Sequence, residues 1–283
     1  MQVQVIDNTS RKLAAILPPA IEQSSDVRIA VAFMSRTGLK LLDTSIQVAL
    51  QAGAYLEFLV GLDMQTTEPA ALMDIYNLSL ANEHVSLYCY SGLEGVPVYH
   101  PKLYLLRAGD EVTSVIGSSN LTAGGLKTNI EINALIHGNI LDDAISDSYS
   151  SYYRLKFKLK RASPDEEYLS RYSEACKRNK QRQEASGKDS SYREAVQRFR
   201  KKAESLQQPV PTSRDIVGWP KLAYDALPMG PFTNEQVYQY EQLFQAQYPT
   251  NKHVKAKIRQ QLQILRDLGL IKHLEEGLWQ KMS

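Results

Sequence analysis

The stretch HPKLYLLRAGDEVTSVIGSSNLTAGGLKTNIEIN, residues 100–133, holds two apolar runs, KLYLL at 102–106 and VTSVIG at 112–117, joined by RAGDE. Two such runs around a short Gly-containing link predict a β-hairpin. LTAGGL then reads as a short turn or helix start, and IEINALI at 130–136 alternates like one more strand. Residues two apart on a strand share a face. His100 and Lys102 therefore point together, and the GSSN that ends the partner strand delivers Ser118 and Asn120, again two apart, to a neighbouring position; Glu131 opens the strand that follows.

Working outward, VRIAVAFM (27–34), YLEFLVGL (55–62) and VSLYCY (85–90) are apolar runs separated by helix-like stretches near 37–52 and 68–82. That alternation predicts an α/β layer with buried, largely parallel strands. From about 139 the pattern turns helical, through SDSYSSYYRLKFKLKR and a strongly charged stretch to about 206, with a break expected at EASGKDSS (184–191). QQPVPTSRD (207–215) reads as a linker. Beyond it, Thr233 with Gln236 three positions on forms a capping-box pattern, and Pro249 is a stop. Val254, Ile258, Leu262, Leu265 and Leu268 fall at helical spacing before Gly269, and two short apolar runs around EEG predict a terminal hairpin. Helices followed by a β-hairpin suggest a winged-helix module. The expected organisation is an α/β catalytic domain over 1–150, a basic helical connector over 151–208 and a winged-helix domain over 209–283.

Composition bounds the partners. Residues 1–153 carry 8 Lys+Arg against 16 Asp+Glu (−8), residues 154–214 carry 17 against 8 (+9), and residues 215–283 carry 8 against 7 (+1). A basic middle segment suits either a polyanion-binding arm, with Lys177, Arg178, Lys180 and Arg182 as contacts, or a solvated helical connector. No run approaches the ~20 apolar residues of a membrane helix, the amino terminus lacks a secretory pattern, and Cys89 and Cys176 are too few and too far apart for a disulfide framework or zinc cluster. The reading is a cytoplasmic protein with no membrane partner, no metal and no cofactor.

Taken singly, a His before a strand is a surface or capping group and GSSN is a turn. Together, His100, Lys102, Ser118, Asn120 and Glu131 are a set suited to phosphoryl transfer: an imidazole to attack phosphorus, Lys and Asn to hold the equatorial oxygens, a carboxylate to orient the imidazole. His100-x-Lys102 followed by Gly117-Ser118-x-Asn120 resembles the HxK…GSxN motif of the phospholipase D superfamily, and Glu131, eleven residues after Asn120, resembles the carboxylate of its single-motif bacterial nucleases. The resemblance implies a mixed β-sheet flanked by helices, a phosphohistidine intermediate, and a second His as general acid. Two features depart from the pattern. Arg107 stands where the family has Asp, and the His-to-Ser spacing is about three residues longer, which places the extra residues in the hairpin turn around Asp110. The tail, through IRQQLQILRDLGLI and the Gly-Leu-Trp hairpin, resembles the winged-helix tail of some prokaryotic restriction endonucleases; Lys252, Lys255, Lys257 and Arg259 would then meet phosphates or bases of double-stranded DNA. With one motif per chain, the second imidazole would come from a second copy in a homodimer. Competing readings are a nonspecific nuclease, a phospholipid hydrolase of the same superfamily, and a DNA-binding regulator with an inactive domain.

Overall fold

The computed structural model describes all residues except 92–96, 158–161, 188–193, 195, 196, 199, 200, 202–211, 214, 215, 217, 250 and 283. The chain divides into two compact units, Met1–Arg193 and Glu194–Ser283.

In the first unit the apolar runs become strands close to where the sequence puts them: β1 (Gln2–Ile6), β2 (Asp26–Val31), β3 (Tyr55–Gly61), β4 (Val85–Tyr90), β5 (Lys102–Ala108), β6 (Glu111–Gly117) and β7 (Asn133–Asn139). Among the described residues they form one sheet in the order β1-β7-β6-β5-β2-β3-β4. β2, β3 and β4 are parallel to one another, and every other neighbouring pair is antiparallel. Helices α1 (Leu13–Glu22), α2 (Arg36–Lys40), α3 (Asp43–Gln51) and α4 (Pro69–Ala81) connect the first four strands, and α5 (Asp143–Phe157) and α6 (Glu166–Gly187) follow β7. Two cores result, as a sheet covered on both faces requires. One, around Leu17, Ile29, Phe58 and Tyr104, takes in α1, α3 and α4; the other, around Leu59, Leu105, Tyr149 and Tyr152, takes in α5.

Three details differ from the sequence reading. Residues 2–22 gave no element, yet they form β1 and α1, the latter with Pro18 and Pro19 inside it. The single helix expected near 37–52 is two. The hairpin turn is tight: pairing runs unbroken from Leu103↔Ile116 to Ala108↔Glu111, leaving Gly109 (φ 62°) and Asp110 as the turn. The extra spacing between His100 and Ser118 therefore lies in the strands. Helix α6 ends at Gly187, inside the stretch where a break is expected; the rest of that stretch falls outside the described residues, as does most of the 207–215 linker.

The first part of the 151–208 segment belongs to the first unit. Leu169 and Tyr172 are buried in its core with Cys176 packed beside them, and the Tyr172 hydroxyl donates to Thr67 O at 2.8 Å. Beyond Cys176, α6 presents Lys177, Arg178, Lys180 and Arg182 as exposed side chains, Arg178 paired with Glu174 one turn earlier. Such exposed pairs contribute little to stability.

The second unit contains α7 (Gly218–Ala226), β8 (Pro231–Thr233), α8 (Asn234–Tyr238), α9 (Glu241–Gln247), α10 (Val254–Asp267), β9 (Ile271–Glu275) and β10 (Leu278–Lys281). The capping box forms in full between Thr233 and Gln236, an arrangement worth about 1 kcal/mol at a helix start. Val254, Ile258, Leu262 and Leu265 of α10 are buried, and Gly269 (φ 73°) turns the chain after it. The predicted hairpin gains β8 as a third strand, in the order β8-β10-β9, and Trp279 Nε1 donates to Asn234 Oδ1 at 3.0 Å, tying the hairpin to α8. This is a winged-helix arrangement. No described helix in either unit is long and apolar enough to cross a membrane.

Candidate active site

Four strand ends meet at one edge of the sheet. Val31 of β2 pairs with Lys102 at the start of β5, Leu103 pairs with Ile116, and Gly117 at the end of β6 pairs with Asn133 at the start of β7. The sequence-predicted residues are attached to these ends. His100 is exposed just before β5, Lys102 is its first residue, and Ser118 and Asn120 follow β6. Glu131 does not open β7; it lies two residues before Asn133, where the strand starts.

Lys102 is 7% exposed, so its ammonium is largely withdrawn from water. Its Nζ donates to the His100 carbonyl at 3.0 Å and stands 2.6 Å from Nδ1 and 3.0 Å from Nε2 of the same imidazole. Burial lowers the Lys102 pKa, opposed by the charge of Glu131. The His100 pKa is lowered too, first by burial and then by the neighbouring ammonium. Both effects disfavour a second positive charge at this point. Both favour the neutral imidazole, the form with a lone pair to donate.

Glu131 does not reach the imidazole by hydrogen bond. Its carboxylate accepts a short bond from the Ser118 hydroxyl and one from Asn129 Nδ2 at 3.3 Å. In this geometry the partners of Glu131 are Ser118 and Asn129, not the imidazole. The carboxylate anchors Ser118, whose Oγ also accepts from Ile132 N at 3.0 Å, and it acts on the cationic side of the site through Lys102.

The GSSN turn is clamped by residues the motif does not include. Asn133, 1% exposed, accepts from Ser119 N at 3.2 Å and donates to Ser119 Oγ at 2.8 Å, and the buried Tyr104 hydroxyl donates to Ser119 O at 3.0 Å. Every polar group of Ser119 is thereby held, which fixes Ser118 and Asn120 on either side. Losing one such buried partner costs about 1–3 kcal/mol per orphaned group. Gly117 is needed for the same closeness, since a Cβ there would lie 2.4 Å from Ile132 O and 2.5 Å from Asn133 Oδ1. Asn8, buried at φ 58°, ties in the start of α1: it accepts from Leu13 N at 3.0 Å and donates to Gly125 O at 2.8 Å. Nothing in the sequence marked Asn133: in IEINALI it shares the polar phase with Glu131, whereas the structure buries it and exposes Ile130 and Ile132.

The other histidines stand apart from this edge. His84 stacks on Tyr55 with ring centroids 4.2 Å apart at the start of β3, and His137 bonds Thr113 and faces Glu111 near the hairpin turn. His253 and His273 are in the second unit. Among the described residues no group of three or more His, Cys, Asp and Glu side chains is placed to hold a metal ion.

In the winged-helix unit, Lys255 and Arg259 are exposed on α10 and share one neighbour. Lys255 Nζ lies 5.8 Å from the Tyr238 ring centroid and 3.5 Å from Glu241, and Arg259 donates to the Tyr238 hydroxyl at 3.3 Å. Lys257 donates to Gln260 at 2.8 Å. Lys252 precedes the helix and is not on it.

Residues 17–154 match the family model described as "Cardiolipin synthase, PLD-like domain", and residues 223–281 match "Dam-replacing HTH domain". The structure is similar to NucT from Helicobacter pylori (TM-score 0.43, 10% identity, 55% of this chain and 93% of that one). It is also similar to Nuc from Salmonella typhimurium, a phospholipase D family member (TM-score 0.43, 17% identity, 58% and 99%). A third similarity is to phosphatidylserine synthase from Haemophilus influenzae (TM-score 0.46, 12% identity, 64% and 46%). No curated protein matches the chain.

Proposed function

We propose, from the premise that the chain carries a phospholipase D-like domain joined to a winged-helix domain of the Dam-replacing kind, that it is a metal-independent DNA endonuclease of the type II restriction class. The observation that carries this reading is the gathering of His100, Lys102, Ser118, Asn120 and Glu131 at one sheet edge, in a chain that also holds a DNA-binding type of module. In the proposed reaction a ring nitrogen of neutral His100 attacks the phosphorus of a phosphodiester and the P–O bond to the leaving strand breaks. Lys102 and Asn120 hold the charged oxygens, which replaces the Lewis acid other nucleases use. Water then attacks the phosphohistidine and gives its proton to the imidazole that protonated the leaving strand, the P–N bond breaks, and both imidazoles return to their starting states.

The departing oxygen needs a proton, and the proposal takes it from His100 of a second copy across a two-fold axis, an isologous arrangement in which the bound phosphate anion favours one protonated imidazole of the pair. An apolar face beside the site supports this. Val5, Ala134 and Ile116 align across three strands by register, and Val3 and Ile132 extend the row, with Val3 55%, Val5 74%, Ile116 42% and Ile132 65% exposed. Contiguous apolar surface of this kind marks contact with another macromolecule, and Ile132 adjoins Ser118 directly.

The test is incubation of the purified protein with a long plasmid in EDTA. Discrete fragments are expected. A smear would make the enzyme a nonspecific nuclease, and cleavage that disappears in EDTA and returns with Mg²⁺ would refute the metal-independent reaction.

A further inference from the structure

The run VRIAVAFM continues past the last paired residue of β2, and its final aromatic has no part in the motif. Ala32 and Met34 are 1% and 0% exposed, so Phe33 between them faces the other way, half-buried, out of the main core. What it faces is the site. Its ring meets the His100 imidazole edge-on, with centroids 5.5 Å apart and planes at 76°, and Lys102 Nζ lies 5.8 Å from the same ring. An edge-to-face contact prefers one orientation of the partner ring, and a cation over an aromatic face gains from the ring quadrupole.

The backbone of the same residue holds the other half of the site. Phe33 N donates to Asn120 Oδ1 at 3.0 Å, and Phe33 O accepts from Leu121 N at 3.2 Å. A backbone N–H can only donate, so the amide oxygen of Asn120 must face Phe33 and its Nδ2 donor is directed away from it. The segment is fixed in turn: Ala32 N donates to Pro101 O at 2.9 Å, Met34 N to Thr67 Oγ1 at 3.2 Å, and Ser35 N to Leu121 O at 3.0 Å. Phe33 thus stands between the segment that bears the imidazole and the segment that bears the amide, and touches both.

We infer that Phe33 is a positioning residue of the active site, its ring setting the orientation and shielding of His100 while its backbone sets the direction of the Asn120 amide. The inference rests on the nuclease reading for its effect on rate, but not for its effect on the imidazole. The charged groups around that imidazole are Lys102 beside it and Glu131, which acts on Lys102; the Phe33 segment brings an apolar surface, and Arg36 beyond it is paired with Asp74. Removing the ring admits water and weakens the burial that lowers the His100 pKa, so the pKa should move upward.

The experiment compares Phe33→Ala and Phe33→Tyr with the wild type in two measurements. One is the NMR titration of the His100 ring without DNA, its resonance assigned by its loss in His100→Ala. The other is kcat and KM for plasmid cleavage, with thermal unfolding run alongside. For Phe33→Ala the His100 pKa should rise and kcat should fall by about tenfold to a hundredfold, the scale of a misplaced reacting group, with KM little changed. Phe33→Tyr, which keeps the ring, should restore both. An unchanged His100 titration in folded Phe33→Ala overturns the inference, as does a titration shift with kcat intact. Should Phe33→Ala fail to fold, a Phe33→Leu variant with wild-type titration and kcat overturns it equally. A wild type that cleaves no DNA defeats the nuclease reading instead, and the titration still decides the role of the ring.

Discussion

His100→Ala is expected to lower the rate of DNA cleavage by a factor on the order of 10⁴ or more, the scale seen when a nucleophile or its partner is removed, with DNA affinity retained. The size of the effect follows from the geometry. His100 is the imidazole at this sheet edge, and the other four lie elsewhere, at the start of β3, near the hairpin turn and in the second unit. Lys102 is engaged elsewhere: its Nζ donates to the carbonyl of residue 100, and the charge of Glu131 favours the ammonium against the burial that lowers its pKa. The binding surface assigned to α10 is in the other unit and should be untouched. Cleavage rate and a DNA mobility shift, measured on the same preparation, separate the two. Turnover near the wild-type value would place the nucleophile elsewhere.

Mixing the same variant with wild type should produce the second large effect. If the site is shared, a subunit bearing His100→Ala disables the copy it pairs with, since one imidazole must attack while the other carries the proton. With a fivefold excess of variant under exchange conditions, random pairing in a two-fold dimer leaves roughly one-sixth of the activity that the same wild-type protein shows in buffer. Activity equal to simple dilution would mean that each subunit works alone, with water or Glu131 supplying the proton. Salt or dilution that breaks the dimer should lower activity along with mass. The apolar row of Val3, Val5, Ile116 and Ile132 is the face where the two copies are expected to meet.

Much of this arrangement was legible from residue types and spacing, and the parts that were not share a physical cause. Strands β2 to β6 announce themselves as apolar runs because both faces of the sheet are covered. The edge strand β1 does not: its Val3 and Val5 are exposed, and its partner β7 lies more than a hundred residues away in sequence. Helix α1 was hidden by Pro18 and Pro19, which lower helix propensity, while burial of Leu13, Ile16, Leu17 and Ile21 outweighs that cost. Within the site, His100, Lys102, Ser118 and Asn120 were readable because period-two geometry couples them in pairs. The bond from Ser118 to Glu131 and the clamp of Asn133 and Tyr104 on Ser119 were not, since they depend on which strands become neighbours. Phe33 is the clearest case. Its sequence signal is that of any apolar strand residue, and only the pairing of β2 with β5 brings it to the imidazole. In the tail, the capping box, Gly269 and the α10 spacing were local signals and read correctly, whereas β8 came from pairing across the unit.

The most direct test of the account is a rapid acid-free quench of a single turnover, with DNA labelled at its phosphates and the protein separated under denaturing, alkaline conditions that preserve phosphoramidate bonds. The account predicts label covalently attached to the wild-type chain, released by mild acid and absent from His100→Ala. Cleaved DNA with no labelled protein at any time during the turnover, or label that persists in His100→Ala, would contradict it.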